Sequence, residues 1–166
     1  MRNLVAFPLL FLAAIVQSAI VAQVHLISGY ADLPMLLIAA WALQSQVDSA
    51  WHWALVACLL AGFTSALPWP VYVIGYLFVV YIARNLQRRV WQAPLLAMFG
   101  VIFIGTIFIH LLTFGVLRIL GTPMALGDVL SLILLPSLLL NMLFSIPIYT
   151  MIRDLADWVY SSENYQ

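Results

Sequence analysis

Apolar runs follow one another almost from end to end of this chain, with only short polar punctuation between them. Roughly 17–25 apolar residues are enough to cross a bilayer as a helix. A backbone in hydrocarbon must satisfy its own N–H and C=O groups, so such a chain has few options beyond a bundle of helices. The residues are 66% hydrophobic and 7% charged, with no lysine at all. A soluble domain carries about 45–50% apolar and 25% charged residues. The reading is therefore an all-α integral membrane protein, a compact bundle of about six transmembrane helices. The 166 residues have room for these spans and for no extramembrane domain. Residues 1–158 form one polytopic transmembrane domain, and 159–166 a short polar C-terminal tail.

The runs divide at recognisable punctuation. The first, Leu4–Val24, is longer than a signal-peptide core and lacks a clean small-residue cleavage site, so it is expected to be a retained span. Ser28 to Asp32 form the first loop, and Asp32 stands where a second helix opens at Leu33-Pro34. That second run, to Val47, is short for a span and is either a weakly tilted helix or a partial one buried by its neighbours. Asp48-Ser49 open a third helix, Trp51–Leu67, with Trp51 and Trp53 at the level of an aromatic belt. Pro68-Trp69-Pro70 break the chain before a fourth helix of about Val71–Ala83. The fifth runs from Ala93 to about Leu117, with Gly100 and Gly105 as close-approach points, and ends at Arg118 and Gly121. The sixth runs from Leu126 to Ile152. If the second or fourth run is re-entrant, five spans remain.

The arginines orient this bundle. Six spans gather Arg2, Arg84, Arg88, Arg89 and Arg153 on one side and leave Arg118 on the other, and a five-to-one bias places the first group in the cytoplasm. Both termini are then cytoplasmic, with Arg84, Arg88, Arg89, Asp154 and Asp157 on the cytoplasmic face. The remaining acids belong to helix starts: Asp32, Asp48 and Asp128 are expected to cap the helices that follow them.

Function classes narrow accordingly. A net charge of zero provides neither a basic face for nucleic acid nor an acidic one for cationic ligands. Cys58 is the single cysteine, so there is no internal disulfide and no multi-cysteine metal site. No Gly-x-Ser-x-Gly, His-Glu-x-x-His or pair of buried acids supplies a nucleophile, metal or acid–base pair, and His25, His52 and His110 lie far apart. The reading is a non-enzymatic protein without cofactor or metal. His110 is expected to be a packed, hydrogen-bonded histidine.

The polar residues of the last helix are more informative. Ser137, Asn141, Ser145, Tyr149 and Arg153 recur every fourth position, so they share one slowly drifting stripe. Asn141, near mid-run, would leave its amide unsatisfied in hydrocarbon and should face protein, either within this bundle or on a partner. The serines can bond back to their own helix, and Tyr149 can anchor at the interface. Pro136 and Pro147 each leave a carbonyl one turn earlier without its helical donor. Ala14, Ser18 and Ala22 repeat at four-residue spacing on the first helix, a second candidate for close helix packing.

Several motifs, in order, resemble the family of the rod shape-determining protein MreD, a small multi-pass subunit of the bacterial cell-elongation machinery. They are Gln17-Ser18, Gly29-Tyr30-Ala31-Asp32-Leu33-Pro34, Leu36-Leu37-Ile38 with Trp41-Ala42-Leu43, and Gly62-Phe63 before the proline break. The series ends with Leu135-Pro136, Leu140-Asn141, Pro147-Ile148-Tyr149 and Arg153. Two departures stand out. Many relatives carry an acid after the Gly-Phe pair, where this chain has Thr64-Ser65-Ala66-Leu67, and here the proline follows Asp-Leu instead of preceding it.

The resemblance implies a scaffold of the bacterial cytoplasmic (inner) membrane that works in cell shape and peptidoglycan synthesis. It would bind the bitopic partner MreC, near a RodA-type glycosyltransferase and a class B penicillin-binding protein. It also implies a fold similar to the six-helix substrate-binding subunits of energy-coupling-factor vitamin transporters. Such a subunit is the alternative function, for which the loops Ser28–Asp32 and Pro68–Pro70 look too small to line a cavity.

Overall fold

The computed structural model describes residues 6–19, 28–65, 67–89, 93–122 and 124–161. These form helices and connections: α1 (Ala6–Ala19), α2 (Leu33–Ala42), α3 (Ala50–Thr64), α4 (Trp69–Arg89), α5 (Pro94–Ile119) and a long final helix, α6. The last is continuous through three segments, Leu126–Asp128, a π-helical Val129–Leu134 and Leu135–Ser161. α4, α5 and α6 are long and apolar enough to cross a membrane, whereas α1, α2 and α3 are shorter apolar helices.

α2 forms the centre of the bundle. It is ten residues long, about 15 Å by helical rise, and residues Pro34 to Ala42 are all buried. All five other helices pack on it. Of the two readings of the short second run, the structure gives the partial helix surrounded by its neighbours. The rest of the bundle is apolar outside as well as inside. Phe11, Phe63, Leu139, Leu143 and Met151 are exposed, while Thr106, Ser137, Asn141 and Ser145 are buried. This is the distribution expected where the surrounding solvent is hydrocarbon.

Several boundaries move from their sequence-based positions. α3 stops at Thr64, and α4 already begins at Trp69 and continues to Arg89. Arg84, Arg88 and Arg89 therefore lie on the last turns of a helix and not in a loop, because nothing in Arg-Asn-Leu-Gln-Arg-Arg interrupts the ladder. α5 ends in a Schellman motif, with Gly121 at φ +85°, its N–H bonded to Arg118 O and that of Thr122 bonded to Leu117 O. Gly105 lets α4 and α5 approach, since a Cβ there would fall 2.8 Å from Val79 Cγ2, whereas Gly100 meets only the far end of Leu86.

Trp53 does not belong to an interfacial belt. It is fully buried and stacks on Trp41 with ring centroids 4.1 Å apart, while Trp51 is exposed. Its indole has apolar area to bury and a flat partner to bury it against.

Candidate functional site

The site begins with a missing hydrogen. Pro136 has no N–H to offer the carbonyl of Leu132 one turn earlier, and the helix around it winds as a π segment. The Leu132 carbonyl receives instead the N–H of Ser28, at 3.2 Å. The loop that follows Ser28 lies directly on α6. A Cβ on Gly29 would fall 2.6 Å from Ser137 N and 2.7 Å from Pro136 Cβ, so only glycine fits this approach. The next two bonds come from the stripe: Ser137 Oγ accepts the N–H of Tyr30 at 3.1 Å, and Asn141 Oδ1 accepts that of Asp32 at 2.8 Å. Asn141 Nδ2 donates to Thr106 Oγ1 on α5 at 3.0 Å, tying a third element to the pair. From the other side Gln17 of α1 spans the same loop, donating to Ala31 O at 2.7 Å and accepting from Leu33 N at 3.0 Å.

Asp32 is thus held by its backbone, and its carboxylate works twice. Oδ1 accepts from Met35 N at 3.0 Å, capping α2, and Tyr76 Oη on α4 donates to both oxygens, at 3.0 and 3.2 Å. Burial pushes this carboxyl up, to about 6, against the opposing effect of the Met35 N–H and the Tyr76 hydroxyl.

The carboxylate borders a cavity of about 560 Å³ at the end of the bundle formed by the C-terminal ends of α1, α3 and α5 and the start of α6. Tyr30, Tyr72, Tyr76 and Phe114 supply aromatic wall, and Gln17, Ser65, His110 and Thr113 supply polar groups. Asp32 is the one formally charged residue among those lining it. His110 is bound to Thr106 O through Nδ1 at 2.8 Å, which makes Nδ1 the donor, and its Nε2 is buried without a hydrogen-bond partner. The Ser28–Asp32 loop does line a cavity, contrary to the expectation from its length, because helix faces supply most of the wall; no residue of Pro68–Pro70 is among the lining.

The remaining predicted site residues are distributed as follows. Ser137, Asn141, Ser145 and Tyr149 are all buried inside the bundle, so this stripe is used internally and is not a surface for a partner. Ser145 bonds back to Met142 O. Arg153 leaves the stripe: it is exposed and pairs with its neighbour Asp154 at 3.2 Å, and Asp157 accepts from Gln46 Nε2. Neither acid is paired with Arg84, Arg88 or Arg89 in that arrangement. On α1, Ala14 is buried and Ser18 is exposed, bonded to Ile15 O, so the small residues do not make one continuous contact; Ala22 lies outside the described residues, as do Arg2 and His25. Of the expected caps, only Asp32 bonds its helix. Ser49, not Asp48, occupies the N-cap of α3, without a side-chain bond. Asp128 sits inside the first turn of α6, behind Ala125, where it meets the helix dipole and not the orphan N–H groups.

Tyr76, Thr106 and Gln17 are site residues that the sequence pattern does not point to. An amide and two hydroxyls in apolar runs were the available signal, and their meeting depends on which helices face each other. Comparison with protein-family models, with curated proteins and with solved structures gave no match.

Proposed function

We propose that this chain is a non-catalytic scaffold subunit of a bacterial cell-elongation complex in the cytoplasmic membrane, resembling MreD, and that it captures the single transmembrane helix of an MreC-type partner. A RodA-type glycosyltransferase and a class B penicillin-binding protein would stand nearby. The observation that carries this reading is a second concavity, about 490 Å³, bounded by α1 and α6 with α2 and its preceding loop as its floor. It runs along Leu9–Val16 of one helix, about 10 Å by helical rise, and Leu140–Met151 of the other, about 16 Å, and every residue lining it is apolar. A groove of this length on the flank of a bundle suits a helix better than a soluble ligand.

The cavity at Asp32 favours a second reading, a substrate-binding subunit of an energy-coupling-factor type transporter, since enclosed sites of roughly 300–1,000 Å³ with a few convergent polar groups are typical for small ligands.

Affinity purification of the tagged full chain in mild detergent, with mass spectrometry of what accompanies it, separates the two. Recovery of MreC with the glycosyltransferase or transpeptidase supports the scaffold. Recovery of a paired ATPase and a coupling subunit would replace it with the uptake reading.

A further inference from the structure

The carboxylate of Asp32 has a helix cap and a tyrosine hydroxyl as partners, and no cation among the described residues. The chain contains no lysine, and the ion pair present among the described residues, Arg153 with Asp154, belongs to the other end of α6. Removing a carboxylate from bulk water without a counter-charge is costly, and N–H and O–H donors offset only part of that cost. The carboxylate is nonetheless half-buried against a cavity large enough for a small molecule. Tyr72 and Tyr76 stand edge to face, with centroids 5.7 Å apart, and Tyr30 is tilted against the His110 ring at 6.4 Å. A carboxylate flanked by aromatic rings suits an organic ammonium group: the charge pairs with the carboxylate, and the ring faces attract both the cation and its hydrocarbon stem. A bare metal ion would want several oxygen or nitrogen ligands, and among the described residues no group of three His, Cys, Asp or Glu side chains converges.

We propose that this cavity binds a protonated amine carried on an apolar or aromatic stem, with Asp32 as its anionic partner and Tyr30, Tyr72 and Tyr76 as its aromatic wall. The amine can come from a free organic amine or from the headgroup of an amine-bearing lipid. The site does not rest on the scaffold reading, since it involves neither the flank groove nor any partner protein; it is the cavity from which the transporter reading is argued, but amine binding requires no coupling subunit.

Three probes of similar shape test it on the full chain in detergent by calorimetry at pH 7.5: 2-phenylethylammonium, 2-phenylethanol and 3-phenylpropanoate. The ammonium should bind, and the alcohol and carboxylate should bind at least about tenfold more weakly, the scale of one charge-assisted contact. Asp32→Asn, which keeps an oxygen for Met35 N and Tyr76, should lower ammonium affinity by a similar factor while thermal unfolding shows a folded protein. Equal binding of alcohol and ammonium by the unmodified chain would overturn the proposal without recourse to any variant. So would unchanged affinity in a folded Asp32→Asn protein. Repeating the titration in nanodiscs identifies the source. Weaker binding in phosphatidylethanolamine than in phosphatidylglycerol means that the lipid amine competes for the site, and equal binding assigns it to a free amine.

Discussion

Asn141 ties both the α2 entry loop and α5 to the final helix. Its carbonyl oxygen takes the N–H of the half-buried Asp32 and its amide nitrogen reaches the buried Thr106. Asn141→Leu removes both bonds and leaves a backbone donor stranded, so a loss of about 2–3 kcal/mol is expected. It would be read as a lower unfolding midpoint in detergent, and an unchanged midpoint would show that water or lipid satisfies the loop equally well. Asp32 gives a pH dependence of definite sign. Its carboxyl rises from an ordinary value of 3.8 to about 6 in the folded chain, so the folded state holds the proton more tightly. The contribution to stability is therefore full below about pH 4 and is lost as the pH rises through 6. Tyr30, Tyr72 and Tyr76 face the same carboxyl and do not titrate in that window, and His110 lines the same cavity, so the comparison that isolates Asp32 is with Asp32→Asn. The fall in melting temperature between pH 4 and 7 should flatten in that variant. At this scale the polar stripe was readable, because a four-residue period is a property of one helix. The Asp32–Tyr76 pair was not, because it depends on α4 lying against the α2 entry.

α2 shows what element-scale reading can and cannot reach. The loop before it, its capping Asp32 and its early proline were evident as a helix start, and its length already made it the weakest candidate for a full span. Its place at the centre of the bundle was not evident, since uniform apolarity has no face to point with. Gly29 controls how closely its entry loop docks on α6. In Gly29→Ala the added Cβ meets backbone and a proline ring, neither of which can rotate away. The loop should retreat from Ser137, and faster amide exchange at Ser28, Tyr30 and Asp32 would report it. The flank groove can be tested without disturbing this lock. Val16 is only partly buried and lines the groove, so Val16→Trp should fill it, abolish recovery of the bitopic partner and leave the unfolding midpoint within a few degrees. Normal recovery would move the partner to another face.

Across the whole molecule, the short connections between α2, α3, α4, α5 and α6 alternate direction, which brings the Arg84–Arg89 turns and the Arg153–Asp157 turns to one end and the Asp32 cavity to the other. The arginine bias predicts that the first end is cytoplasmic and that the cavity opens on the opposite side. In a Cys58→Ala background, a cysteine introduced at Asn85 should react with a membrane-impermeant maleimide only from the cytoplasmic side, and one at Thr122 only from the other. The reverse pattern would invert the protein. The helical class and the helix count were legible in composition and punctuation, while the sidedness is what this labelling tests. The cavity was not, because no single run contains it. Two of the bonds that seat the entry of α2, those to Ser137 and Asn141, come from residues more than one hundred positions later in the chain. At ribosomal speeds of roughly 5–20 residues per second, that delay lasts about 5–20 seconds. Throughout it a helix too short to span stably has none of its α6 partners. Newly made chains therefore pass through a period in which the α2 entry lacks these bonds. A premature stop anywhere before α6 leaves the N–H groups of Tyr30 and Asp32 without their side-chain acceptors and α2 without one of the helices that pack on it.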